Sequence, residues 1–325
     1  MRWVPPMIVG LCCVLNEAEI IERFLLYNLP LVDKMIIAEG GVIGHPFTTP
    51  DGHSIDDTLL ILKAYLHKYQ HKMVLITNDP DGKWLSKQDQ QNAMLNHVEP
   101  GDWCITYGAD EFYDPDMRLK LQRLIKEYPE IGEFVPSVIN FWDKNKIFVD
   151  KESGNIRTMQ RHQKFFKYQE YMYYVNHPTI NDGDNRDTFF NQYYKDRKLY
   201  LDLKEGDAYK FNLVGKIAKE SDPVISVYHY GFCRNRLHQV RKHIYYLMRD
   251  RNMSFEDAIT FLKKKTNNDP KVIFGYIEQI HNAADVVLVD YDKAHPLSDF
   301  VFDNEDVDLD KITKEVGTFS EIAKK

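Results

Sequence analysis

The chain has 325 residues, of which 43% are hydrophobic and 28% are charged, a balance typical of a soluble globular enzyme with a sizeable core. Its formal net charge of −7 argues against wholesale binding of nucleic acid. The four cysteines show no CxxC spacing, which excludes a dense disulfide framework and favours a reducing compartment.

The longest apolar stretch runs from Met7 to Leu15 and is too short to cross a bilayer. Asn16-Glu17-Ala18-Glu19 follows it, where a signal peptide would carry small residues at its cleavage site. We therefore predict that this stretch is the first strand and that the chain has no transmembrane segment. A cytoplasmic location follows from this expectation, and peripheral association with a membrane stays open.

Strand and helix patterns alternate over the first 112 residues. Apolar runs predict strands at 8–15, 32–38, 72–77 and 102–107, with amphipathic helices between them. Asn16, Ser54 and Ser86 each stand where the cap of one of these helices is expected. Four strands joined by helices predict an α/β fold with a mostly parallel sheet flanked by helices.

The pattern changes after about residue 134. Strands rich in aromatic and β-branched residues follow one another without regular helices, which predicts an antiparallel or mixed addition to the sheet. A strongly basic helix is expected over 234–250, and Ser254 caps the start of another. We predict one domain over 1–235 and a helical extension over 236–325 with an acidic tail.

Polar residues follow each strand of the predicted parallel sheet. They are Asn16-Glu17, Glu39-Gly40, Asn78-Asp79 and Asp110-Glu111. Because the carboxyl ends of parallel strands meet at one edge of a sheet, we expect these residues to line a shared cleft. Adjacent carboxylates suit a hard cation such as Mg²⁺ or Mn²⁺, held against the phosphates of a substrate. The alternative is a strand that ends in an acidic turn.

Four segments of the chain occur in a recognisable order and spacing. They are 8–17 (IVGLCCVLNE), 33–40 (DKMIIAEG), 101–112 (GDW followed by ADEF) and 227–231 (VYHYG). They resemble, in turn, the opening strand, the second strand, the metal-binding segment and a later histidine-bearing strand of family 2-type glycosyltransferases. The resemblance is good over 7–112 and patchy from 130 onwards.

This resemblance implies a GT-A fold that binds a nucleotide-sugar donor with Mn²⁺ or Mg²⁺. Asp110 would be the metal ligand of the DxD-type motif and His229 a further ligand. Glu111 either contacts the metal or supports the turn. Glu17 and Glu39 would lie near the base or the ribose of the donor.

Four other residues are candidates for donor binding because of their positions. Asn16 ends the first strand, although a cap of the next helix would need Asn there too. Gly40 lets a ligand approach the backbone. Arg234 and Arg236 are the basic residues nearest to His229 in sequence, and they suit an anionic diphosphate.

Two departures from the family pattern concern catalysis. An inverting transferase needs a general base for the acceptor hydroxyl. The family pattern has an acid where this chain has Pro178. The candidates for the general base are therefore His177, Asp182 and Asp184. Gly108 stands where the first acid of the DxD motif is usual. Its loss predicts weaker metal binding or an altered nucleotide preference.

We therefore predict a metal-dependent glycosyltransferase that transfers a sugar, with inversion, to a hydroxyl on a glycan or another acceptor. A non-catalytic nucleotide- or carbohydrate-binding protein derived from a transferase is the first alternative, and Gly108 favours it. A sugar-1-phosphate nucleotidyltransferase is the second. That chemistry needs a glycine-rich phosphate loop after the first strand, where this chain has Asn16-Glu17-Ala18-Glu19.

Overall fold

The computed structural model forms two β-sheets with helices packed around them. It describes residues 5–78, 82–129, 133–134, 136–143, 145–150, 164–168, 174, 225–267, 269, 273, 286–300, 302 and 307–322. Within these ranges the class is mixed α/β, as predicted, and the GT-A arrangement of the whole chain stays a prediction.

The N-terminal part alternates strands and helices. Its elements are β1 (Ile8–Val14), α1 (Ile21–Asn28), β2 (Lys34–Glu39), α2 (Thr58–Lys68), β3 (Met73–Ile76), α3 (Lys87–Leu95), β4 (Trp103–Tyr107), β5 (Glu111–Tyr113) and α4 (Met117–Glu127). Strands β3, β2, β1 and β4 are neighbours in that order and pair in parallel. The four predicted strands and their parallel pairing are therefore confirmed.

The remaining elements extend the first sheet and build a second one. They are β6 (Glu133–Phe134), β7 (Ser137–Asp143), β8 (Lys146–Asp150), β9 (Phe165–Lys167), β10 (Ser226–His229), α5 (Arg236–Arg251), α6 (Phe255–Thr266), β11 (Val286–Asp290) and α7 (Leu309–Ile322). Strand β9 pairs antiparallel with β4 and with β6, while the second sheet has the order β11-β8-β7-β10-β5. The region after residue 236 therefore contributes a strand as well as helices.

The chain crosses between the two sheets at residues 108–110. Strand β4 ends at Tyr107 in the first sheet, and β5 begins at Glu111 in the second. His229, the last residue of β10, lies opposite Glu111 on one side and Asn140 of β7 on the other. The topology thus brings the carboxyl end of β10 to the turn that carries Asp110.

Local capping decides where several helices begin. The Oγ atoms of Ser86 and Ser254 accept hydrogen bonds from the amides three residues on, at 3.1 and 3.0 Å, so both predicted caps are confirmed. The expected caps at Asn16 and Ser54 are wrong. Helix α1 begins after Ile20 and α2 after Asp57, without side-chain capping bonds. The Asn16 side chain bonds instead to the carbonyl of Phe47 and the amide of Ile55, and Ser54 Oγ accepts from the amide of Asn16.

Buried aromatic rings hold the crossing turn in place. Phe24 of α1 meets Tyr107 and Phe112 edge to face, at centroid distances of 5.5 and 6.4 Å, so it packs on both sides of the turn. Phe112 in turn packs edge-on against Tyr230, which follows His229. These contacts fix the relative positions of the β4–β5 turn and the end of β10.

Candidate functional site

Asn16 connects the end of β1 to the loop that follows β2. Its side-chain amide donates to the carbonyl of Phe47 at 2.8 Å, and its Oδ1 accepts from the amide of Ile55 at 2.8 Å. Its own amide donates to Ser54 Oγ at 2.9 Å. The residue adopts a φ of +56°, a conformation that Asn tolerates better than most residues. Asn16 therefore holds this loop over the sheet edge.

Glu39 supports the same loop from β2. Its buried carboxylate accepts from the amide of Ser54 and meets His53 Nδ1, both at 2.8 Å. Gly40 has a φ of +116°, and a Cβ there would lie 3.1 Å from the carbonyl oxygen of Gly52. Glu39 and Gly40 thus lie at the predicted edge, with the Glu39 carboxylate bonded to the loop.

Arg234 lies between two carboxylates from the β1–α1 turn. Its Nη1 contacts Glu17 and its Nε donates to Glu19 at 3.0 Å, while its side chain is 1% exposed. Burial raises the pKa of Glu17 to about 7, and the guanidinium opposes that rise. The two carboxylates hold the pKa of Arg234 above its usual range despite burial. Arg234, predicted to contact a diphosphate, is thus part of a buried ion cluster. Arg236, the other predicted contact, is the first residue of α5.

Asp110 and His229 face one another where the two sheets meet. The Oδ2 of Asp110 lies 3.8 Å from Nε2 of His229. The other ring nitrogen, Nδ1, lies 2.7 Å from Oδ1 of Asn140. Because that amide oxygen can only accept, Nδ1 carries the proton and Nε2 presents its lone pair to Asp110.

Electrostatics keeps Asp110 as a carboxylate and favours the neutral ring of His229. Burial would raise the pKa of Asp110, but His229, Lys242 and Arg234 together hold it well below its usual range. Burial lowers the pKa of His229, although Asp110 opposes this. The result is one carboxylate oxygen and one imidazole nitrogen directed to the same place, which is a pair of metal-ligand types.

Two glycines make room for the Asp110–His229 pair. A Cβ at Gly231 would lie 2.5 Å from Nε2 of His229 and 3.1 Å from Oδ2 of Asp110. A Cβ at Gly108 would lie 2.7 Å from Oδ1 of Asp110. Gly108, which replaces the usual first acid, therefore leaves space for the Asp110 carboxylate in its observed position.

Restoring the acid by Gly108→Asp is consequently expected to weaken Mn²⁺-dependent nucleotide binding, by about tenfold, because the new side chain displaces Asp110. Isothermal titration of nucleoside diphosphate with Mn²⁺ measures this effect. Leu119→Asp is the control, since it adds the same acid at a side chain of α4 that is 70% exposed. Tighter binding in Gly108→Asp would contradict the explanation.

Glu111 supports the turn beside Asp110. Both of its carboxylate oxygens lie 2.8 Å from Nζ of Lys164, and Oε2 accepts from the amide of Gly108 at 2.5 Å. Glu111 and Lys164 are both buried. Of the two roles that the sequence leaves open for Glu111, this geometry favours support of the turn.

Two residues of α5 add to the site without having been singled out in the sequence. His238 and Lys242 are four residues apart and therefore share a helix face, which is the signal that finds them. Burial and the nearby cations lower the pKa of His238 well below its usual value. Burial also lowers the pKa of Lys242, but Tyr246, Asp110 and Glu17 raise it above its usual range. Lys242 is therefore a charged ammonium whose charge acts on Asp110.

A second group of basic residues lies at the end of β1. Burial raises the pKa of Cys13, and Lys87, which hydrogen-bonds the thiol, opposes this. Lys83 donates to the carbonyl of His45 at 3.2 Å. Burial and both lysines lower the pKa of His45 to about 3, and its ring lies 4.3 Å from that of Tyr245 of α5, with 38° between the planes. These groups add positive charge and ring surface near the sheet edge.

Some predicted features lie outside the described residues. They are the base candidates His177, Asp182 and Asp184, together with 303–306 of the acidic tail. Within the described ranges, no three His, Cys, Asp or Glu side chains are grouped to hold a metal ion. In that same part of the chain, none of the helices combines the length and the apolar character that crossing a membrane requires.

No family model and no curated protein matches this chain. Among solved structures, the crystal structure of S. aureus TarS 1-349 is similar at 14% sequence identity, with a TM-score of 0.37. The similarity covers 69% of this chain and 60% of that chain. So distant a likeness carries no argument about the fold or the site.

Proposed function

We propose that this protein is a metal-dependent glycosyltransferase that moves a sugar from a nucleotide-sugar donor to an acceptor hydroxyl, with inversion. The observation that supports it most is the approach of the Asp110 carboxylate to the neutral ring of His229, where the charge of the Lys242 ammonium also acts. A carboxylate and an imidazole suit a divalent cation, and a nearby ammonium suits the phosphates that such a cation would accompany.

The two metal-ligand groups, the Asp110 carboxylate and the His229 imidazole, fit Mn²⁺ better than Mg²⁺, because Mn²⁺ accepts an imidazole nitrogen more readily. Asp110 and His229 would provide two ligands, and diphosphate oxygens would provide others. A bound cation would neutralise the diphosphate and make it a better leaving group.

The protein's own groups have separate roles in this proposal. Asn140 fixes the His229 tautomer that leaves Nε2 unprotonated. Lys242 stabilises the negative charge that develops on the leaving diphosphate. The loop held by Asn16 and Glu39 forms the wall against the nucleoside. Asp182 or His177 is proposed to accept the proton of the acceptor hydroxyl as its oxygen attacks the anomeric carbon.

Thermal unfolding with UDP, GDP, CDP and TDP, each with and without Mn²⁺, tests the proposal. At a hundred times the dissociation constant, binding adds about 2.7 kcal/mol to the free energy of unfolding. We expect one nucleotide to raise the Tm by about 5 °C only when Mn²⁺ is present. A Tm that no nucleotide changes in a Mn²⁺-dependent way would refute metal-dependent donor binding.

A non-catalytic nucleotide-binding protein is the second candidate. The observation in its favour is that only two metal-ligand types converge at Asp110, within the part of the chain that the structure describes. Release of nucleoside diphosphate from the matching nucleotide sugar, with Mn²⁺, separates the two candidates. Mn²⁺-dependent binding without any release would favour the binding protein.

A further inference from the structure

The face of the second sheet that carries His229 also carries an aromatic side chain of β7, Trp142. Asn140 of β7 bonds to the ring of His229 on the neighbouring strand. The pairing of β7 with β8 shifts its register between Phe141 and Asp143, so strand alternation does not place Trp142. Its ring contacts do: Trp142 contacts Phe232, which contacts His229, so Trp142 lies on the face that carries His229.

Two partly exposed rings lie side by side on this face. Phe232 has its ring centroid 6.0 Å from that of His229 and 5.9 Å from that of Trp142, with an angle of 31° between the Phe232 and Trp142 planes. Buried Phe148 meets both rings edge-on, at 5.5 and 5.4 Å. Trp142 and Phe232 are each between buried and exposed. Phe148 therefore supports a small aromatic surface beside the charged pair.

This surface has the chemistry of a sugar-binding platform. The face of an aromatic ring is electron-rich and attracts the weakly positive C–H groups on one face of a pyranose. The hydroxyls of the pyranose stay at its edge, where polar groups and water reach them. A sugar on Phe232 and Trp142 would direct an edge hydroxyl to the Asp110–His229 pair, because His229 adjoins Phe232.

The most exposed apolar side chains of the edge strand lie away from this surface. The partly exposed apolar side chains of the edge strand, Val287 and Val289, pair with Val149 and Ile147. Those two residues alternate with Phe148 along β8, so the valines lie on the opposite face. They do not extend the aromatic surface.

We propose that Trp142 and Phe232 form the acceptor subsite and that the acceptor is a pyranose, held by its apolar face next to Asp110 and His229. This inference rests on the proposed glycosyltransferase function and adds the class of acceptor and the residues that select it.

Saturation-transfer NMR of the full chain tests the inference, with Mn²⁺ and the nucleoside diphosphate that stabilises it most. The probes are methyl β-D-glucopyranoside and methyl β-D-galactopyranoside. We expect stronger transfer to the C–H protons of the sugar ring than to the O-methyl group. Trp142→Leu and Phe232→Leu keep apolar volume but remove the ring faces, and each is expected to weaken sugar binding about tenfold.

Tyr69→Leu is the matched control, because Tyr69 is a partly exposed ring at the end of α2, stacked on Tyr65. It should leave the sugar signal unchanged. Wild-type protein that binds neither sugar, or leucine variants that bind as the wild type does, would overturn the acceptor subsite. Loss of the Mn²⁺-dependent nucleotide shift in the wild type would instead refute the proposed function, so the two failures are distinguishable.

Discussion

Asparagine in place of Asp110 is expected to abolish the Mn²⁺-dependent stabilisation by nucleoside diphosphate and to lower sugar transfer at least about a hundredfold. The neutral amide oxygen is a much weaker partner for a divalent cation than the carboxylate that Lys242 and Arg234 keep ionised. The fold should survive, because the carbonyl of Asp110, which accepts from the amide of Tyr230, is unchanged. Thermal unfolding with nucleotide and Mn²⁺ measures the first effect, and nucleotide release measures the second.

Asp116→Asn is the matched control for that substitution. The Asp116 side chain is 57% exposed and pairs with Lys120 at the surface of α4, where ion pairs contribute little. Its nucleotide response should equal that of the wild type. If Asp110→Asn kept full Mn²⁺-dependent stabilisation, Asp110 would have no place in the site, and the proposed function would lose its main support.

The parallel sheet was predictable because its signals are local. A strand buried on both faces appears as a continuous apolar run, so the run at 8–15 predicts β1 to within one residue of the observed Ile8–Val14. The caps at Ser86 and Ser254 are local too, since each joins a hydroxyl to an amide three residues on. The convergence of Glu39 and Asp110 at one sheet edge follows from parallel pairing alone.

The partners of the charged side chains were not predictable, because they come from distant parts of the chain. Glu17 and Arg234 are 217 residues apart, and no local pattern indicates that they meet. From sequence alone, Arg234 suits a diphosphate as well as it suits two carboxylates. The role of Asn16 depends in the same way on a loop 31 to 39 residues away. The backbone of that loop, rather than the N-terminus of α1, binds the Asn16 side chain.

The structure gives a different explanation for the glycine at position 108 than the sequence does. In sequence it is a missing acid, and it favours weak metal binding or loss of catalysis. In the structure a side chain there would crowd Asp110, and Gly231 leaves space on the other side of the same carboxylate. The proposed function therefore places one carboxylate and one histidine at the cation, rather than two acids.

Leucine in place of Arg234 is expected to lower the free energy of unfolding by about 3–5 kcal/mol, since it leaves Glu17 and Glu19 without the cation between them. Chemical unfolding monitored by circular dichroism measures the loss. Arg249→Leu is the control, because Arg249 pairs with Asp250 at the surface with about half of each side chain exposed, and its loss should cost about 1 kcal/mol or less.

The pH dependence of this loss identifies its cause. Burial already raises the pKa of Glu17 to about 7 in the wild type, and removing Arg234 takes away the charge that opposes this rise. From the ordinary value of about 4.5 up to about pH 7, wild type and variant both lose stability, because the folded chain holds the Glu17 proton more tightly than the unfolded chain does. Above about pH 7 the wild type stops losing stability, whereas the variant, with a still higher pKa at Glu17, continues to lose it. We expect the deficit of Arg234→Leu to be larger at pH 8 than at pH 5. An equal deficit at both values would show that Arg234 stabilises by packing, and a variant with wild-type stability but weaker nucleotide binding would favour the diphosphate role.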